Sequence, residues 1–197
     1  MKDKPYFAVV YMFVITAFFS SILILFARVT RGRVEINEQI AFEKAVLMAF
    51  PDIEAKTNTE IHDTFTENFQ EAAIGYVYMK DNQIAGYAVP VEGQGFWAPI
   101  KGVVGIAPDK KTITGIAFYE QSETPGLGAR IVEPDFRGKF EGLSLGDTLK
   151  PIGIRQAGAE LKNNEVHAIS GATQTCVRLE KLMNDDLTKW LQEQEGN

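Results

Sequence analysis

The chain holds one cysteine, Cys176, and two histidines, His62 and His167, in 197 residues. A single cysteine excludes an intramolecular disulfide and a thiolate metal cage. Two histidines far apart in sequence form no local ligand motif, so no metal centre is expected. Internal repeats and low-complexity tracts are absent from the sequence. Positive charge is in deficit beyond residue 33. Up to there, Lys2, Lys4, Arg28, Arg31 and Arg33 stand against Asp3, giving +4, so the remainder carries −10 of the total −6. An acidic body argues against nucleic acid as a partner.

What is present is ordinary for a globular chain, at 45% apolar and 23% charged residues. The length allows one sizeable domain with its own core. The exception is "PYFAVVYMFVITAFFSSILILFA", which covers Pro5–Ala27 without a charge. As a helix, such a run spans roughly 34 Å, enough for the hydrocarbon core of a bilayer. Thr16, Ser20 and Ser21 interrupt it, and a helix can bond such hydroxyls back to its own carbonyls. A cleaved signal peptide would carry a shorter apolar run and a small-x-small site. The basic "RVTRGR" follows instead, so residues 1–33 read as a retained membrane anchor and 34–197 as the body. Tyr6 and Tyr11 suit an interface. Bases flank both ends, and their count alone leans toward a cytoplasmic body.

The body begins with "NEQIAFEKAVLMAFP", where Asn37 can cap a helix that Pro51 ends. The polar stretch from Asp52 to Ala72 reads as a loop with a short helical piece. Alternation then predicts strands in "AIGYVYMK" and "QIAGYAVPV", joined at Asp81-Asn82, and two more around Pro108-Asp109. "GDTLKPIG" reads as loop. A closing helix is expected from about Thr173 to Gln192, with Leu179, Leu182, Met183, Leu187, Trp190 and Leu191 on its core face. The class is α+β: one N-terminal transmembrane helix, then an antiparallel sheet with packed helices.

Three glycine-rich pieces stand out. "EGQGFWAPIKG", Glu92–Gly102, disfavours a regular strand and lets backbone approach a ligand beside Trp97; the plainer reading is a tight bend with a core tryptophan. "SETPGLGARI", Ser122–Ile131, contains Thr124-Pro125-Gly126, the pattern of a type II turn. Leu127 and Gly128 follow, and backbone amides there can form a nest for an anion or carbonyl; the plainer reading is a long hairpin loop. "SGAT", Ser170–Thr173, precedes the closing helix. Ser170 can cap it, Gly171 and Ala172 leave room for a ligand, and first-turn amides favour phosphate, which the Thr173 hydroxyl can touch or be joined to. Plain capping explains the same residues.

Together these runs resemble the FMN-binding domain family. "ETPGLGARI" followed by "EPDFRGKFEG", Glu123–Gly142, is the most specific piece, and "GQGFWAPIKG" and "SGAT" complete the set in order and spacing. Within the family the pattern is nearest the Rnf-type members of electron-transport complexes, with the corresponding component of the Na⁺-translocating NADH:quinone oxidoreductase a near relative. The resemblance implies FMN held covalently on Thr173 by a phosphoester, made by a dedicated flavin transferase from FAD. It implies further cofactor contacts from Ser170, Gly171, Ala172, Glu123, Thr124, Gly126, Leu127, Gly128 and Trp97. His167 stands where the family's motif has aspartate. It implies an electron carrier in an ion-translocating ferredoxin:NAD oxidoreductase, or a flavin domain serving another reductase. The partners implied are the other subunits and the membrane, with the flavin domain on the extracytoplasmic side of the cell membrane. No acid–base pair in the chain suggests substrate turnover on its own, and a flavin-free assembly subunit is the other class of reading.

Overall fold

A computed structural model describes residues 5–196. Lys2, Asp3 and Lys4, counted in the charge balance, lie outside the described residues. The contacts divide the chain into Met1–Gln39 and Ile40–Asn197.

In the first unit every described residue is helical, within α1 (Pro5–Met48). Its apolar side chains face outward: Val9, Phe13, Leu23 and Phe26 are each more than two-thirds exposed. Ser21 donates to the carbonyl of Ala17 at 2.7 Å, the back-bonding expected of a hydroxyl in an apolar helix. The expected helix start at Asn37 is not there. The helix passes through Gly32 and Asn37 unbroken, since no proline intervenes and Arg31 pairs with Glu35 one turn on at 2.8 Å. A lone glycine costs a helix only about 1 kcal/mol, too little to break this one.

The second unit is a three-layer body around an antiparallel sheet. Strands β1 (Phe69–Glu71), β2 (Tyr76–Lys80), β3 (Gln83–Gln94), β4 (Pro99–Ile106) and β5 (Ile113–Glu120) lie in sequence order, each antiparallel to its neighbours. Asp81 and Asn82 take φ of 51° and 60°, the left-handed pair that a two-residue hairpin requires. Alternation divides each strand between two cores. Val89, Val91, Val104, Ile106 and Ile116 face one; Ala88, Val103 and Ala117 face the other with Leu47, Phe50, Ile61 and Phe69. That second core lies under the end of α1 and under α2 (Asn58–Asn68), the helical piece expected after Asp52. Thr57 and Glu60 close a capping box at the start of α2.

The first core is covered by the long return from β5. It includes a 3₁₀ turn at Gly128–Val132, α3 (Pro134–Arg137), β6 (Gly153–Arg155), β7 (Glu165–His167) and α4 (Thr173–Gly196). β6 and β7 are parallel and only three residues each. Leu179, Leu182, Met183, Leu187 and Trp190 of α4 are all buried, as their spacing requires.

Candidate functional site

The glycine-rich pieces meet at the N-terminus of α4. β3 runs on to Gln94 and β4 starts at Pro99, so strand pairing persists through Glu92, Gly93 and Gln94, opposite Lys101, Ile100 and Pro99. This corrects the expectation that Glu92–Gly102 breaks the strand: backbone ladders need no side chain, and only Gly95–Ala98 turns. Gly95 N–H donates to the Ala98 carbonyl at 2.9 Å and closes that bend. Trp97 is not a core residue; it is 64% exposed, with its indole N–H donating to the Thr124 hydroxyl at 3.1 Å. Phe96 packs edge-on against it, ring centroids 4.9 Å apart.

The loop after β5 is the turn its residues demand. Leu127 N–H donates to the Thr124 carbonyl at 3.1 Å, and Gly126 sits at φ 73°, a conformation costly for any residue with a β-carbon. Gly128 then packs against Glu123 and Thr175, so close that a β-carbon there would lie 2.9 Å from Glu123 Oε2.

α4 begins at Thr173. The carbonyl of Ala172 accepts from Cys176 N–H at 3.0 Å, the first helical bond, so Ala172 rather than Ser170 stands at the cap. The N–H groups of Thr173, Gln174 and Thr175 therefore have no helical partner. The Thr173 side chain is exposed and its hydroxyl bonds to no described residue. Two residues on, Thr175 is buried and donates to Glu123 Oε2 at 2.6 Å. Glu123 Oε1 accepts from the N–H groups of Phe96 at 2.8 Å and Trp97 at 3.0 Å.

An open cavity of about 190 Å³ lies between the loop and the helix. Phe96, Thr124, Leu127, Gly128, Gly171, Ala172, Thr173, Gln174 and Thr175 line it. The structure thus gathers six of the expected residues: Thr124, Leu127, Gly128, Gly171, Ala172 and Thr173. Trp97, Glu123, Gly126 and Ser170 do not line it. Trp97 and Glu123 join its wall from behind through the bonds just given. Phe96 and Gln174 were missed by sequence reasoning; the first-turn position of Gln174 beside Thr173 was the available signal. Gly171, at φ 79°, turns the chain into the helix under Leu127.

His167 lies in β7, its register opposite Arg155, with Nε2 3.0 Å from the Ala159 carbonyl. Cys176 is buried below the site, and burial pushes its thiol pKa up. Among the described residues no group of histidine, cysteine and carboxylate side chains is placed to hold a metal.

The residues fit a phosphate-bearing ligand. Three unpaired amides and the positive end of a long helix dipole meet the exposed Thr173 hydroxyl on the rim of a cavity. The glycine at 128 is what brings the loop against that rim.

Residues 95–188 match the family described as FMN-binding domain. The NqrC component of the Na⁺-translocating NADH-quinone reductase of Neisseria meningitidis serogroup A is 40% identical over 99 residues, 49% of this chain and 38% of that protein. The NqrC of Vibrio campbellii is 40% identical over 111 residues, 54% of this chain and 42% of that protein. The chain thus spans about two-fifths of the length of these curated relatives. Among solved structures, the NqrC of Parabacteroides distasonis superposes with a TM-score of 0.71 at 23% identity, covering 82% of this chain and 94% of that one. Shewanella oneidensis NqrC superposes at 0.62 with 21% identity, covering 81% and 99%. At such identities the superpositions show the fold, which is the expected α+β class. The resemblance to the FMN-binding domain family is borne out, with the NqrC components of Na⁺-translocating NADH-quinone reductases as relatives.

Proposed function

We propose that this chain carries FMN, joined to Thr173 through its phosphate, as an electron-relaying subunit of an ion-translocating membrane redox complex. The observation that supports this best is the exposed Thr173 hydroxyl beside three unpaired amides on the cavity rim. Bound there, FMN takes up one or two electrons and so links two-electron donors to one-electron carriers. The chain's own residues hold and orient. Thr173 Oγ is the tether. The amides of Thr173, Gln174 and Thr175 would hold the phosphate. Gly171 and Ala172 leave the approach open, and Thr124, Leu127 and Gly128, with Ser170, Gly126, Glu123 and Trp97 near, would form the wall beside the flavin. The chain is a redox carrier and not an enzyme on its own.

Residues 1–33 act as the anchor, with the apolar run of α1 spanning the cell membrane once and 34–197 forming the flavin domain on the extracytoplasmic side. The near-balanced flanking bases leave orientation to the partner subunits. A flavin transferase loads the domain from FAD. Two assemblies fit the chain. The sequence pattern points to an Rnf-type ferredoxin:NAD oxidoreductase. The relatives, 40% identical over about half the chain, favour a Na⁺-translocating NADH-quinone reductase. Subunits that copurify with the detergent-solubilised chain decide between them.

The test of the tether is Thr173→Ala in cells that also make the transferase. The wild-type band should fluoresce in a denaturing gel and its intact mass should exceed the chain by one FMN less water. Thr173→Ala should do neither, while Thr173→Ser keeps some flavin. A fluorescent Thr173→Ala band places the tether elsewhere. A dark wild type favours the flavin-free assembly subunit.

A further inference from the structure

Glu123 has no part in the tether itself, yet more of the site converges on it than on any residue lining the cavity. Its side chain is 5% exposed. Both carboxyl oxygens are engaged within the chain: Oε1 by the amides of Phe96 and Trp97, Oε2 by the Thr175 hydroxyl. Its own N–H donates to Gln121 Oε1 at 2.7 Å, which fixes the side chain's origin. Two glycines make room for it. A β-carbon at Gly95 would lie 2.6 Å from Oε1, and one at Gly128 would lie 2.9 Å from Oε2. A buried carboxylate accepting three hydrogen bonds from two separate segments is costly to disturb, because each donor would be left unpaired in its absence.

We infer that Glu123 is the positioning residue of this site: it pins the Gly95–Trp97 bend and the Thr175 hydroxyl to one point, and so leaves Thr173 the one hydroxyl on the first turn of α4 that can be modified. This rests on the proposed tether. Thr175 donates its hydroxyl hydrogen to Glu123 and is 4% exposed, which keeps it from a transferase. Thr173, two residues earlier, is exposed on the rim of the cavity. In the loading step the Thr173 hydroxyl gives its proton to a base, and its oxygen bonds to the flavin-side phosphorus of a flavin adenine dinucleotide. The bond from that phosphorus to the bridging oxygen breaks and AMP leaves. That attack needs a helix start held still, which is what the Thr175–Glu123 bond supplies.

The experiment compares Glu123→Ala, Glu123→Gln and Thr175→Val in the full chain. It reads two quantities: amide hydrogen exchange at Phe96 and Trp97 in flavin-free protein, and the initial rate of covalent FMN gain by intact mass with purified transferase and FAD. Glu123→Ala should lose protection at both amides and load at least tenfold more slowly. Glu123→Gln keeps an oxygen for both amides, so protection should return and most of the rate with it. Thr175→Val keeps its volume, so the amides should stay protected while loading slows severalfold. FMN found on Thr175 in Glu123→Ala also supports the assignment. If Glu123→Ala and Thr175→Val load as fast as wild type, the assignment is overturned. If Glu123→Ala fails to fold, the Thr175→Val rate decides alone. A wild type that never loads sinks the tether, and with it the choice of hydroxyl; the exchange data then still report whether Glu123 holds the bend.

Discussion

Asn184 stands in for a strand. Its side-chain Oδ1 accepts from Ile152 N–H and its Nδ2 donates to the Ile152 carbonyl, both at 2.9 Å. Ile152 itself is fully buried. One residue of α4 thus satisfies both backbone groups of the residue just before β6. Glu180, one turn earlier, accepts from Ile154 N–H at 2.8 Å and from Arg155 at 2.9 Å. Replacing Asn184 by alanine leaves two buried backbone groups unpaired. The expected loss is about 2 kcal/mol or more in urea unfolding. An unchanged midpoint would mean water replaces the amide.

Gly128→Ala tests the closeness of loop and helix. The added β-carbon falls inside van der Waals contact of Thr175 Oγ1 and 3.0 Å from Glu123 Cβ, neither at the end of a flexible chain. Overpacking of this kind costs about 1–3 kcal/mol. The thermal midpoint should drop by several degrees. Gly126→Ala, where nothing lies within 4 Å, should suffer only from its φ of 73°.

Asp109 gives a pH signature. Hydrogen bonds from the Thr112 hydroxyl and the amides of Thr112 and Lys111 hold its carboxyl below the usual range. A carboxylate with a depressed folded pKa contributes stability above its unfolded value and loses it as pH falls through the folded one. The gap in melting temperature between wild type and Asp109→Asn should therefore be full at neutral pH and close below about pH 4. A gap that persists in acid would assign the effect to packing. The group is exposed, so the gap should be small.

Cys176 should be silent. Its thiol is buried, raised by that burial, and in contact with Ile169 N–H at 3.4 Å. An aromatic disulfide reagent should titrate no thiol in the native chain and one after denaturation. Fast native labelling would show that the start of α4 opens.

Much of the body was legible because its signals are local. Alternation marked the four main strands, Asp81-Asn82 and Thr124-Pro125-Gly126 marked turns by their backbone needs, and the three-four spacing marked α4. What was illegible depends on distance. β6 and β7 are too short to show a pattern; β7 pairs with β6, and β6 is held from α4 by Asn184 and Glu180, 32 and 26 positions away in sequence from the residues they bond. Asn37 has the chemistry of a cap but not the context, because it lies inside a helix that runs unbroken from Pro5 to Met48. Trp97 looked like core because aromatics usually bury; here its indole finds Thr124 and the ring stays out. Six residues of the candidate site were readable as motifs. The role of Glu123 was not, since its partners lie 27 and 52 positions off.

α4 is both floor and frame. Its first turn presents Thr173, and its far end buries Trp190 beneath Tyr87, ring centroids 5.4 Å apart. About 25 Å of helix separates the two. The unpaired amides exist only while that helix is formed, and a helix of this length holds in water chiefly by its packed face. A nascent chain that has emitted Thr173 but not yet seated Trp190 therefore offers a hydroxyl without an anion cradle. The proposed loading of Thr173 thus depends on the docking of the helix's distant end.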